Sequence, residues 1–435
     1  MPFRLTAPLL VALVLSAGPA LAQEPAVRVR VLSREAPRAV EVSADTAPLA
    51  VVVDGRTVGT LGPGAALRVV PRASGVEVEG GGLRGRGGRV VVAGPGVRVR
   101  AGRTDRRYAG ALEATAAGGR LELVNETPLE AYVSSVVASE YPFREIEGAK
   151  AQAVIARTYA LRRGGAAGAY DLDDHTGSQV YRGAGAETET SRRAAAETRG
   201  EVLRYGGALA ETPYFSSSGG HTADNEAVWN GAPLPYLRGV ADPYDAASPH
   251  HAWEATVDAG RLHAALSDRF GGRVTGFSVV RQSRTGRVQE IALDGAGRPT
   301  ISGSQFRSAV NAVLGAKTIR STRFEVARDG GAYVFTGGGF GHGVGMSQYG
   351  ARGQALAGRS YRDILAFYFA GTALAGTGGE RYATLDRPAP PVAPAYAPPA
   401  YAAPPAASGV VVRRRPAPRR EAPARAEPTK RRVAW

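Results

Sequence analysis

The chain has 435 residues, no cysteine and a formal net charge of +15. The absence of cysteine excludes disulfide frameworks, thiolate nucleophiles and cysteine-ligated metals, so an ordered fold must rest on packing, which this length permits. Much of the charge sits at the end: residues 411–435 carry nine Arg or Lys against Glu421 and Glu427, the pattern of a block that binds polyanions or stays solvated.

Taken in order, Arg4 is the only charged side chain before the apolar run "LLVALVLSAG", and Ala20-Leu21-Ala22 offers the small-x-small pattern of signal-peptidase cleavage. Residues 1–22 are thus predicted to be an export signal, with a mature start near Gln23 in the cell envelope or outside it. The alternative, a membrane anchor, is opposed by the shortness of the run, and no later stretch is long and apolar enough to span.

Residues 23–105 alternate apolar and polar side chains in "VRVRVLS", "AVEVSA", "ALRVVPR", "GVEVEG", "RVVVAG" and "GVRVRA", separated by Gly, Pro and Asp-Gly turns. This predicts a small β-rich region for packing, spacing or docking. "RYAGALEATAAGGRLELVN" continues as a hairpin, and the pattern then turns helical. In "TPLEAYVSSVVASE", Thr127 is placed to cap, Pro128 suits the first helical position and Glu130 completes a capping box. Pro142 ends that helix at or before Tyr141, which leaves Glu140 at its C-terminal end. A second, alanine-rich helix is predicted over 145–163, stopping at Gly164-Gly165.

Beyond it, "TETSRRAAAETRG" reads as a helix closed by Gly200, and "EVLRYGGALAETPYFSSSGG" as a hairpin turning at Gly206-Gly207. "DAGRLHAALSDRF", "SGSQFRSAVNAVLG" and "SYRDILAFYFAG" read as helices, and "STRFEVARDGGAYVFTGGG" as a hairpin. This mixed order predicts an α+β fold rather than a βαβ series. Residues 377–435, whose composition collapses to Pro, Ala, Tyr and Arg from about Pro388, are predicted to be a disordered basic tail.

These residues resemble the stage II sporulation protein D (SpoIID/LytB) domain family of bacterial cell-wall proteins. The likeness is carried by "LVNETPLEAYVSSVVASEYP", "AKAQAVIARTYAL", "SQVYRG" and "GGGFGHGVGMSQYGARGQALAGRSYRDILAFYFAGT", with "YFSSSGGHTADNEAVW" and "DPYDAASPHHAW" in order between them. It covers roughly residues 106–376 and implies there an α+β domain with a glycan groove. It further implies a lytic transglycosylase acting on the glycan strands of peptidoglycan or, in a related branch, an enhancer of a wall amidase. The resemblance hints at strands denuded of stem peptides. The catalytic acid it places at the carboxylate of "ASEYP", here Glu140, and an arginine of the next motif, Arg157, it places at the site.

The chemistry agrees with a lone glutamate. Lytic cleavage needs one carboxyl group, first as acid to the leaving oxygen and then as base to the muramyl 6-hydroxyl. A hydrolase needs a second carboxylate, for which Asp173, Asp174, Asp224 and Glu226 are the poorer candidates. The helix dipole and the apolar flank Val136, Val137, Tyr141 and Phe143 predict a Glu140 pKa raised towards neutrality. Arg157 shares a helix face with Lys150, Ala153, Val154 and Leu161, and reads as a substrate contact or as an ion-pair partner of Glu145 or Glu147.

Tyr214, Ser216 and His221 in "YFSSSGGH", and His342, Ser347, Gln348 and Tyr349 in the glycine-rich run, supply groups suited to sugars or to structural turns. No cofactor is implied, and no histidine has a paired ligand spacing. Some members of the family hold zinc with Cys and His before "QVY". Here "DLDDHTGSQVY" has no cysteine, so no metal site is expected, and His175 reads as a surface residue. The partners expected are peptidoglycan glycan strands and a cell-wall amidase, with the basic tail on anionic envelope polymers and no specific nucleic acid. The rival class is a wall-binding module that stimulates an amidase and cleaves nothing. A third reading makes the tail primary.

Overall fold

The computed structural model describes residues 25–164, 168–229 and 231–378, together with the backbone of 381–384. The expected export signal and the tail from residue 385 onward lie outside the described residues. The architecture is α+β, as the order of motifs predicts, in two compact units. One takes the chain up to Glu140 and Arg163–Thr188; the other takes Tyr141–Arg162 and the chain from Glu189 onward.

The first unit is built on an eleven-stranded sheet. Its strands are β1 (Ala26–Val31), β2 (Val40–Ala44), β3 (Leu49–Val53), β4 (Arg56–Leu61), β5 (Ala66–Arg72), β6 (Gly75–Gly80), β7 (Leu83–Gly87), β8 (Val90–Ala101), β9 (Thr104–Ala117), β10 (Arg120–Pro128) and β11 (Leu172–Asp173). They run β11-β1-β10-β9-β8-β2-β5-β6-β7, with β3 on β8 and β4 on β3. Period-two alternation buries Val27, Val29 and Val31 of β1, Val40 and Val42 of β2, and Val76 and Val78 of β6. These alternating side chains drive the sheet to cover one face.

Two strands predicted apart, "RVVVAG" and "GVRVRA", form the single strand β8, which bulges between Gly94 and Val97. Pro95 has no N–H for the ladder, and a bulge absorbs that loss without ending the strand. The sheet also runs past residue 105, because β9 and β10 belong to it. Helix α1 (Leu129–Glu140) follows β10 directly. Thr127, predicted to cap α1, is instead in β10, with its hydroxyl buried and accepting no hydrogen bond from the helix. Tyr132, Val133, Val136 and Val137 form the buried face of α1, as their spacing predicts.

The second unit begins with α2 (Ile146–Arg163), which keeps its small side chains where neighbours come close. A Cβ at Gly148 would lie 1.9 Å from the hydroxyl oxygen of Tyr141. Helix α3 (Glu189–Glu197) precedes the strand Glu201–Tyr205, which pairs with Ala208–Leu209 across the predicted Gly206-Gly207 turn and with Ala373–Gly376. Ala373–Gly376 pairs in turn with Arg381–Thr384. Helix α4 (Glu226–Trp229) is one turn long.

Helices α5 (Ala259–Phe270) and α6 (Gly303–Leu314) pack on two three-stranded sheets, around a core that includes Trp253, Leu262, Ile291, Phe306 and Phe335. Asp258 caps α5, and Ser302 with Gln305 forms a capping box on α6. Helix α7 (Gln348–Leu356), which the glycine-rich pattern did not predict, is capped by Ser347. Helix α8 (Tyr361–Tyr368) starts at the Ser360/Asp363 box.

Candidate functional site

In the first unit, Glu140 is half-buried at the C-terminal end of α1, and its Oε1 accepts the backbone N–H of Val180 at 2.8 Å. Val180 lies in "SQVYRG", so two of the motifs that carried the resemblance meet in this bond. The motif is tied down on either side. The Tyr132 hydroxyl donates to Gln179 Oε1 at 3.0 Å, Ser135 Oγ donates to Gly183 O at 2.9 Å, and the Tyr181 hydroxyl donates to Asn125 Oδ1 at 2.7 Å. Asn125 in turn donates to the carbonyls of Ala109 and Ala111, both at 2.9 Å, which ties the network to β9. Tyr132, Ser135, Gln179, Tyr181 and Asn125 are all buried, so the carboxyl is presented by a rigid support. The N–H of Val180 fixes the orientation of the Glu140 carboxyl.

The two carboxylates of this unit that were weighed as a second acid have structural partners. Asp174 accepts from Leu32 N, Ser33 Oγ and Arg106 Nη1 at 2.9, 2.7 and 3.0 Å, and Asp173 pairs with Arg30 at 2.7 Å. His175 Nδ1 accepts Gly177 N at 2.9 Å, closing its own turn.

In the second unit, "YFSSSGGH" and the glycine-rich run lie side by side. Tyr214–Phe215 pairs in parallel with Met346–Ser347, and single bridges join Ser217 to Phe340 and Ala223 to Val344. Their common anchor is Asp245, fully buried, which accepts Ser217 Oγ at 2.8 Å, Ser218 N at 2.9 Å, Gly219 N at 3.0 Å and Ser347 Oγ at 2.8 Å. His251 Nδ1 lies 3.3 Å from the same carboxylate. Asp242, also buried, is pushed up to about 7 by burial and then by the charge of Asp245, and takes a bond from the Tyr368 hydroxyl at 2.9 Å. Asp224 is held by Arg284 at 2.7 and 2.8 Å, and Glu226 pairs with Arg238 at 2.5 Å, so neither is an unengaged second acid.

Several expected contact residues are placed differently. Arg157 is fully buried, and its guanidinium donates to Glu201 O at 3.0 Å and Ala195 O at 3.3 Å; a group enclosed in this way has no surface for a polymer. Lys150 is held by Glu147 at 2.9 Å and Glu197 at 2.6 Å. Ser347 is a buried helix cap bonded to Gly350 N and Asp245. His342 spends both ring nitrogens internally: Nε2 donates to Tyr214 O at 2.9 Å and Nδ1 accepts Val344 N at 3.1 Å. Burial pushes its pKa down to about 4, so it is a neutral ring and not a hydrogen-bonding hand for sugars.

His221 has Nδ1 against Thr222 O at 2.8 Å, and burial lowers its pKa too. Tyr214, Ser216, Gln348 and Tyr349 are half-buried and keep accessible surface. Tyr349 meets the rings of Phe143 and His250 edge to face, at 5.0 and 6.2 Å.

Sequence reasoning passed over Asp242, Asp245, Arg287 and Trp229. Asp242, Asp245 and Trp229 stand inside stretches that carried the resemblance, "DPYDAASPHHAW" and "YFSSSGGHTADNEAVW", and that was the available signal. Arg287 had none. Trp229 is 50% exposed, with its ring 5.0 Å from that of His342.

An α+β domain in which a carboxylate at a helix end meets "SQVYRG" is the setting in which residues 117–205 match the family model described as Stage II sporulation protein (SpoIID). Residues 244–345 match a domain of unknown function. The chain is 33% identical over 267 residues to Stage II sporulation protein D of Bacillus subtilis (strain 168), covering 57% of this chain and 75% of that protein. It is 34% identical over 266 residues to Stage II sporulation protein D of Bacillus amyloliquefaciens, covering 57% and 74%. The chain belongs to the SpoIID family. It is also 29% identical over 290 residues to a protein named Amidase enhancer of Bacillus subtilis (strain 168), covering 56% of this chain and 40% of that protein.

Proposed function

We propose that the chain is an exported, cell-wall-directed lytic transglycosylase that cleaves the MurNAc-β1,4-GlcNAc bond of peptidoglycan and leaves 1,6-anhydroMurNAc ends. The observation that carries this reading is the half-buried Glu140 carboxyl, held by Val180 N at the end of a buried helix. Protonated Glu140 gives its proton to the glycosidic oxygen as the C1–O4 bond breaks. The carboxylate then takes the proton of the muramyl 6-hydroxyl as O6 bonds to C1, so the acid is regenerated and no water is consumed. The four carboxylates weighed as a second acid, Asp173, Asp174, Asp224 and Glu226, are each held by an arginine, which suits this route better than hydrolysis.

The second reading, a glycan-binding module that enhances an amidase, is favoured by the relative of that name, of which this chain covers 40%. In either reading the substrate-facing groups are Tyr214, Ser216, Gln348 and Tyr349, and the basic tail contacts anionic envelope polymers. Mass spectrometry of digested glycan strands decides between them. Anhydromuramyl ends that disappear in Glu140→Gln support the enzyme; glycan binding without new ends supports the module.

A further inference from the structure

Arg287 is 1% exposed, and Nε, Nη1 and Nη2 have no hydrogen-bond partner among the described residues. Buried guanidinium groups are ordinarily paired, because an unpaired buried cation loses its hydration and gains nothing in return. The surroundings compensate it only through the charge of Asp245, without a hydrogen bond. Arg323 and Arg307 stand near enough to repel it, and each spends a bond on a carbonyl, that of Gly219 or Ile319. The nearby carboxylate, Asp245, already accepts from Ser217, Ser218, Gly219 and Ser347. The same excess positive field, after burial, lowers the pKa values of His221 and His342. This region of the second unit therefore gathers positive charge around a guanidinium whose donors are unused among the described residues.

Its position relates it to a surface. The Arg287 guanidinium lies against Gly343, where a Cβ would fall 2.2 Å from Cζ and φ is +90°, so this residue must be glycine twice over. Gly343 follows His342, whose neutral ring stacks obliquely with Trp229 at 5.0 Å and with Phe215 at 5.4 Å. An exposed indole thus lies beside a neutral ring whose chain neighbour, Gly343, packs against the buried guanidinium.

We propose that Trp229 and His342 form the face on which a saccharide ring packs, and that Arg287 receives the carboxylate of that sugar. The ligand class is an acidic saccharide, with the carboxylate on the sugar itself or on an attached peptide. The inference deepens the glycan reading above and rests on it. Binding brings a carboxylate acceptor to a fork of donors and requires the glycine-rich run to shift at Gly343.

The test titrates the full-length protein with N-acetylmuramic acid, muramyl dipeptide and N-acetylglucosamine, followed by calorimetry or NMR. The wild type is expected to bind N-acetylmuramic acid at least ~10-fold more tightly than N-acetylglucosamine. If muramyl dipeptide shares the preference, a peptide carboxylate serves as well; if it does not, the lactyl carboxylate is the ligand; both results support the proposal. Arg287→Met is expected to erase the preference, leave N-acetylglucosamine binding intact and keep or raise the unfolding temperature, since a buried cation without hydrogen bonds is removed. Arg287→Lys is expected to keep part of the preference. The proposal is overturned if the wild type shows no preference, if Arg287→Met retains it, or if both variants fail to fold. Preference that survives in a protein making no anhydromuramyl ends would sink the lytic reading alone; cleavage without preference would sink this inference alone.

Discussion

Glu140 Oε1 accepts the backbone N–H of Val180 at 2.8 Å, joining the end of α1 to a segment 40 residues further on. The bond fixes the rotamer of the carboxyl without using a side chain, so Glu140→Gln keeps an acceptor for Val180 and removes only the acid. Under the lytic reading this variant loses about 10²- to 10⁴-fold in the rate of anhydromuramyl end formation. Its unfolding midpoint in urea stays close to that of the wild type. Unchanged product formation would remove Glu140 from the reaction.

The support behind that bond is testable separately. Tyr132→Phe deletes the donor to Gln179, a fully buried side chain, beside the peptide that holds Glu140. Loss of a buried partner is expected to cost about 1–3 kcal/mol in denaturant unfolding. A fall in kcat with unchanged glycan affinity would accompany it, because the carboxyl loses orientation rather than the substrate its contacts.

Asp245 gathers the serine-glycine segment and the cap of α7 on one buried carboxylate. Asp245→Ala strands two serine hydroxyls and two backbone N–H groups. The expected cost is about 3–5 kcal/mol, read as a lowered urea midpoint. A loss below 1 kcal/mol would mean that water replaces the carboxylate.

Arg157→Ala removes a buried guanidinium from two carbonyls, those of Ala195 and Glu201. It is expected to lower stability by about 3 kcal/mol, with glycan affinity of the folded fraction unchanged. A specific loss of affinity at unchanged stability would restore Arg157 as a substrate contact.

Two buried groups set opposing pH trends. Asp242 has a pKa of about 7 in the folded chain against an ordinary 3.8, so the folded state binds the extra proton, and stability falls as pH rises from about 4 to 7. His342 has a pKa of about 4 against 6.5, so the unfolded state binds the extra proton, and stability rises from about pH 4 to 6.5. Over that shared window the two offset each other. Asp242→Asn is expected to make stability rise more steeply with pH there, and His342→Gln to make it fall, in urea titrations at stepped pH. Identical slopes in all three proteins would refute the assignment.

Local patterns were legible where the physics is local. Alternating Val in β1, β2 and β6 faced inward as period two requires, and Gly206-Gly207 turned its hairpin. Helices α5, α6 and α8 were each readable from their own apolar spacing and start signals. Helix α7 was hidden because glycine at 350 and 353 depresses helix propensity. Both are required by contact: a Cβ at Gly350 would lie 2.1 Å from the Tyr368 hydroxyl, and one at Gly353 2.1 Å from Tyr244 O.

By itself the sequence determined the α+β class, the alternation that buries the sheet and the break at Pro142 that leaves Glu140 at the end of a helix. Only the tertiary structure decided that Val180 holds Glu140, that Arg157 and Ser347 are enclosed, that Asp245 anchors the serine-glycine segment, and that Arg287 is buried with no hydrogen-bond partner among the described residues. The reason is the range of the interactions. Strand alternation, caps and turns depend on residues two to four positions away, whereas burial and the pairing of a polar group depend on which distant segments arrive beside it, and side-chain type alone does not encode that.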